Sequence, residues 1–153
     1  MGNMDEKNLS FKEVKKDEDI KDVSKFDVQV FTETQDFQWS YDSIKKELKN
    51  GWKLVAVQFG DETVAAIVFK SEKDTLFTKN TPIKMAFQGN GFSHMIKDFY
   101  EGQAGKLRLK RVVNYCPVDN FRMISLNESH GYRKTGNYLG NNKNIVEWEK
   151  LLI

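Results

Sequence analysis

The chain has 153 residues, 39% hydrophobic and 30% charged, with 24 basic against 22 acidic side chains. A net charge of +2 excludes a strongly basic nucleic-acid binder and gives no pull toward an anionic membrane, and the length suits one domain that buries roughly 68–70% of its unfolded surface. The longest apolar run, from Val64 to Phe69, is far short of the ~20 residues a spanning helix needs, and the lone Cys116 excludes an internal disulfide and fits a reducing, cytoplasmic setting.

In chain order, residues 1–8 read as a disordered or extraneous end, and residues 9–153 as a single domain. "LSFKEVKK" alternates through Leu9, Phe11 and Val14 as a first strand. "DEDIKDVSKF" has acids in its first turn and Ile20, Val23 and Phe26 on one face, which predicts a helix. "DVQVFTETQDFQW" has no clean period and reads as a connection. "SYDSIKKELKNG" predicts a second helix with Ser40 as N-cap and Asn50 and Gly51 as its stop. "WKLVAVQF" and "TVAAIVF" flank "GDE" as a hairpin. "TLFTKNTPIKMAF" continues as a third strand, where Pro82 cannot donate to a ladder and forces an irregularity or an edge. Phe92, Met95, Ile96, Phe99 and Tyr100 form the stripe of an amphipathic helix. "KLRLKRVVNYC" predicts a strand with Leu107 and Leu109 inward, "VDNFRMISLNESHG" a short helix stopped by Gly131, and "YRKTGNYL" with "NIVEWEKLL" a closing pair of strands. The expected class is a mixed α/β layer fold.

"MAFQGNGFSHMI" places two glycines between an apolar run and the third helix. A strand that turns through glycine into a helix start makes an anion site, because free N–H groups and the helix dipole converge there. A Walker A loop needs Gly-Lys-Ser/Thr, but Phe92 follows Gly91; a dinucleotide fingerprint needs a third glycine, and Met95 breaks that place. A tight turn with no ligand is the plain alternative.

The segment resembles another phosphate loop, that of the GNAT superfamily of acyl-coenzyme A dependent N-acetyltransferases. Gln88, Gly89, Asn90, Gly91, Phe92 and Ser93 match its Gln/Arg-x-x-Gly-x-Gly/Ala motif with Ser in the last small position, and Phe87 supplies the preceding aromatic. "NFRMISLNESHGYRKTG" looks like the family's later helix, with Asn120 as its Asn and Gly131 and Tyr132 as the Gly-aromatic pair. The resemblance implies a mostly antiparallel mixed sheet of about seven strands with four helices on its faces. It implies acetyl-CoA as co-substrate, its pyrophosphate held by the main-chain N–H groups of Gln88, Gly89, Asn90, Gly91, Phe92 and Ser93. Ile83, Lys84 and Met85 would pair with the pantetheine arm where their strand splays from its parallel neighbour. Asn120 would contact the arm from the far side, and a main-chain N–H near Met85 would polarise the thioester carbonyl.

The family often supplies a leaving-group proton from a Tyr seven residues after the motif Asn; here Asn127 stands there, able to donate a hydrogen bond to sulfur but not to act as an acid. The acceptor would enter over the first two helices and last hairpin, where Glu33, Asp36, Trp39 and Tyr41 offer negative charge and flat surface to a cationic amine. The expected activity is direct acetyl transfer in a ternary complex to a small amine, peptide N-terminus or lysine, with no nucleic acid or membrane as partner and a homodimer open. Two rivals are an inactive CoA-binding or sensor module of the same fold, and a transferase of a larger acyl or aminoacyl group. With two histidines and one cysteine, no metal site is expected.

Overall fold

The computed structural model describes residues 9–26, 39–79, 84 and 91–152. Seven strands and four helices follow in the order β1 (Leu9–Glu13), α1 (Asp17–Ser24), α2 (Tyr41–Lys49), β2 (Lys53–Phe59), β3 (Glu62–Glu72), β4 (Thr75–Thr78), α3 (Phe92–Lys106), β5 (Arg111–Pro117), α4 (Phe121–Ser129), β6 (Arg133–Leu139) and β7 (Ile145–Leu151). They form one sheet in the order β1-β2-β3-β4-β5-β7-β6. Among the described residues, β4 with β5 is the one parallel pair and the other five are antiparallel.

Two layers of helix cover the sheet because its central strands are apolar on both sides. Val55, Val57, Ala65, Ile67 and Phe69 point to one face and pack with Phe92, Ile96, Tyr100 and Ala104 of α3, joined by Met123 and Ile124 of α4. Leu54, Ala56, Ala66 and Val68 point to the other and pack with Ile20 and Val23 of α1 and Ile44 of α2. That period-two partition is why β2 and β3 read as continuous hydrophobic runs. Full burial of a side chain such as Phe92, 1% exposed, contributes about 1.5–3 kcal/mol.

Local chemistry sets the helix ends. The Ser40 side chain accepts from the Ser43 N–H at 3.2 Å and starts α2, satisfying an amide that has no helical partner. α1 has no side-chain cap; Asp17, Glu18 and Asp19 offset its dipole instead. The predicted strand "KLRLKRVVNYC" begins later than its alternation suggests. α3 runs to Lys106, and Arg108 takes a left-handed φ of 58°. The Leu109 N–H bonds back to Ala104 O at 2.8 Å. Leu107 is therefore 49% exposed rather than inward, since the helix end and not strand pleating orients it. Among the described residues, no helix is long and apolar enough to cross a membrane.

Candidate active site

The parallel pair that centres the sheet is short. Among the described residues β4 matches β5 through Thr75↔Arg111, Leu76↔Val112 and Phe77↔Val113, while β5 continues to Pro117 paired with β7. Just past the last of these registers the Thr78 hydroxyl donates to the Val113 carbonyl at 3.0 Å. Beyond β4 the chain keeps company with β3: the Lys79 N–H donates to Val68 O at 3.0 Å and the Lys84 N–H to Val64 O at 2.9 Å. Residues 80–83, between these two bonds, lie outside the described residues. Pro82, where the sequence predicts an irregularity, falls inside the interval and outside the described residues.

The next described helix in the chain is α3. Gly91 is its N-cap, with φ 81° and no side-chain cap. A Cβ placed there would meet nothing within 4 Å, so the left-handed backbone, not crowding, demands glycine. The first helical bonds drawn to it are those of the His94 and Met95 N–H groups to Gly91 O. The head of a helix is where its dipole favours an anion.

On the sheet face opposite α3, β5, β6 and β7 build a polar surface. Oε1 of Glu147 accepts from the Thr135 hydroxyl at 2.8 Å and Asn137 Nδ2 at 3.0 Å, and Oε2 from the Tyr115 hydroxyl at 3.0 Å. Partial burial alone would raise the proton affinity of Glu147; the hydrogen bonds of Asn137, Thr135 and Tyr115 and the nearby Arg111 charge outweigh it and hold the carboxyl below its ordinary range. Arg111 reaches Glu149 at 2.8 Å and the Thr75 hydroxyl at 2.9 Å. The sequence reading missed this cluster, although alternation in "IVEWEKL" puts Glu147 and Glu149 opposite the buried Val146 and Trp148.

The sequence-predicted residues divide. Ile83, Met85, Gln88, Gly89, Asn90, Glu33 and Asp36 lie outside the described residues. Gly91 and Ser93 stand at the head of α3, where Phe92 turns its ring into the core. Lys84 directs its ammonium to 4.6 Å from the Phe26 ring centroid. Asn120 caps α4: its Oδ1 accepts from the Met123 N–H at 3.2 Å. Asn127 is fully buried, its Oδ1 accepting from Asn114 Nδ2 at 2.8 Å and Lys97 Nζ at 3.0 Å, and its Nδ2 donating to Asn114 Oδ1 at 3.2 Å. Trp39 donates from Nε1 to Val23 O at 2.9 Å, and the Tyr41 hydroxyl donates to Asp17, which commits both to the packing of α2 on α1. Cys116 is a buried free thiol whose proton burial holds in place, pushing its pKa up to about 11.

No family model matches the sequence, and no curated protein matches it significantly. Solved structures do match the fold. An acetyltransferase from Bacillus subtilis in complex with CoA superposes with a TM-score of 0.70 at 15% identity, over 95% of this chain and 99% of that one. A GNAT family acetyltransferase from Elizabethkingia anophelis with acetyl-CoA bound gives 0.69 at 14% identity, over 95% and 99%. Spermidine N-acetyltransferase from Vibrio cholerae in complex with CoA and spermine gives 0.75 at 13% identity, over 95% and 96%. The chain has the GNAT fold, with which the order of its sheet agrees.

Proposed function

We propose that this GNAT-fold chain is an N-acetyltransferase that moves an acetyl group from acetyl-CoA to a primary amine by direct transfer, with both substrates bound at once. The observation that carries the reading is that the described pairing of the parallel strands β4 and β5 covers three registers, and that α3, the next described helix in the chain, opens at a left-handed Gly91 with no side-chain cap. The CoA complexes among proteins of this fold support it.

Acetyl-CoA would supply the activated acetyl thioester. The N–H groups of Gln88, Gly89, Asn90, Gly91, Phe92 and Ser93 would hold its pyrophosphate at the head of α3. Lys84 gives its own N–H to β3, so by strand alternation the amides of Ile83 and Met85 would face the arm, that of Met85 polarising the carbonyl. Asn120 uses only Oδ1 as a cap, leaving Nδ2 to donate to the arm. Asn127 would position rather than react, since its amide joins β5, α3 and α4. On the acceptor side, Glu147 would attract the ammonium of the substrate, with Glu33 and Asp36 contributing from the α1 to α2 connection. A carboxyl held below its usual range is a weak base, so Glu147 would orient the amine while its proton leaves to water.

The test is calorimetric binding of acetyl-CoA followed by thiol release with a panel of a polyamine, a peptide N-terminus and a lysine peptide. Saturable release with one of them is expected. Absence of acetyl-CoA binding would overturn the proposal, and tight binding without release for any acceptor would favour a binding module instead.

A further inference from the structure

The face that carries α3 and α4 holds a second cluster, away from the Glu147 surface. Asp98 and Glu101 lie three residues apart on α3, so both reach the same side of the helix, and His130 is the C-cap of α4. One ligand atom from each lies within 4.8 Å of the others: His130 Nδ1 is 3.6 Å from Glu101 Oε2 and 3.8 Å from Asp98 Oδ1. Both separations exceed hydrogen-bond range, so a proton on Nδ1 would reach neither carboxylate well.

The other ring nitrogen is engaged. His130 Nε2 and His94 Nδ1 share a hydrogen at 2.8 Å, with the rings stacked. With Nε2–H donating to His94, Nδ1 presents a lone pair to two carboxylates, the arrangement in which a histidine is oriented for a metal by its second nitrogen. Two further atoms await a partner. Glu101 Oε2 is buried without a hydrogen bond, while its Oε1 accepts from Lys150 Nζ at 2.7 Å. The hydroxyl of Tyr132, a residue 4% exposed and two positions after His130, is also buried and without a hydrogen bond.

We infer that Asp98, Glu101 and His130 form a site for a first-row divalent cation, with the Tyr132 hydroxyl as a neutral oxygen beside it. Bonds of about 2.0–2.2 Å to nitrogen and oxygen ask the ligand atoms to close by a few tenths of an ångström or more, a movement the exposed Asp98 side chain can make. One imidazole and two carboxylates favour Zn²⁺, accept Mn²⁺ more weakly and suit Mg²⁺ poorly, because Mg²⁺ prefers oxygen and keeps its water. A bound cation would fasten the middle of α3 to the end of α4, independently of whether the chain transfers acetyl groups.

Tag-free, chelator-treated full-length protein is titrated with ZnCl₂ by calorimetry and with MnCl₂ by electron paramagnetic resonance, with MgCl₂ alongside. The expected result is one equivalent of Zn²⁺, weaker Mn²⁺ at the same stoichiometry, and a raised Tm with Zn²⁺. His130→Ala and Asp98→Asn should each weaken Zn²⁺ by about tenfold or more, whereas Asp42→Asn should not. Asp98 is 71% exposed, so its variant keeps the fold and the test stands if His130→Ala does not. Absence of Zn²⁺ binding, binding untouched by either substitution, or Mg²⁺ binding as tight as Zn²⁺ would overturn the inference.

Discussion

The Lys97 ammonium donates to Asn127 Oδ1 at 3.0 Å while both side chains are almost wholly buried. The same ammonium lies 4.3 Å from the Tyr132 ring centroid. Desolvation lowers the Lys97 pKa to about 8, against the opposing pull of Glu101 and Cys116. The unfolded chain holds this proton to near the ordinary lysine value of 10.5, so between about 8 and 10.5 it binds more protons than the native state and stability rises with pH. Below about 8 the native protein bears the full cost of the buried charge. Lys97→Met should therefore be at least as stable as the parent at pH 7, and the parent should gain on it as pH rises from 8 to 10. Denaturant midpoints across that range check both; a large loss at pH 7 would contradict the account.

Removing the acceptor is a different matter. Asn127→Ala leaves the Lys97 ammonium and Asn114 Nδ2 without their oxygen, at about 1–3 kcal/mol for each buried group and more for the charge. The double variant Lys97→Met/Asn127→Ala should recover part of that loss, which a double-mutant cycle by chemical denaturation would measure. Strict additivity would mean that the two side chains do not act together.

Gly91 can be probed with two substitutions that share one backbone penalty. Gly91→Ala and Gly91→Glu both force a side chain onto φ 81°, costing about 1 kcal/mol of stability. Only the glutamate adds negative charge at the head of α3. Acetyl-CoA affinity should survive the alanine within a few-fold and be abolished by the glutamate, as read by calorimetry on proteins verified folded by circular dichroism. Equal effects would remove the phosphate from this position.

Asn120 separates a cap from a ligand contact. Asn120→Asp keeps an oxygen for the Met123 N–H but loses the Nδ2 donor, whereas Asn120→Ala loses both. Stability should fall by about 1 kcal/mol for the alanine and little for the aspartate, while affinity for acetyl-CoA should fall in both. Thermal unfolding and calorimetry on the same pair of proteins give the two readouts.

Glu147→Gln should raise KM for the amine severalfold and leave acetyl-CoA affinity unchanged. The carboxyl is held below the ordinary glutamate value of 4.5 by its hydrogen bonds, against the effect of its partial burial. Its contribution to stability is therefore present above that value and lost as pH falls through the lower native one. The variant should show a shallower acid loss than the parent below pH 4.5. An unchanged KM would remove Glu147 from the acceptor side.

Much of the architecture was legible because local signals agreed. Ser40 before an apolar pair one turn apart, and "GDE" between two apolar runs, left few alternatives for α2 and the β2-β3 hairpin. Leu107 misled because alternation in "KLRLKR" competes with a helix whose last turn extends to Lys106, and only the Arg108 backbone settles it. Counting histidines and cysteines could not find His130 beside Asp98 and Glu101, since carboxylates are common and the pairing joins α3 to α4 across about 30 positions. Lys97 was likewise hidden: a lysine on the flank of an apolar stripe reads as surface until Asn127 and Tyr132 are seen to enclose it.

Thr78 has a consequence for how the fold could diversify. An amide that closes a ladder is fixed by the backbone, but a hydroxyl turns about one bond and can be deleted, shortened or made bulky by a single codon change. The described end of the β4–β5 pairing is thus adjustable at one side chain without rebuilding either strand, a change within reach of a single mutation.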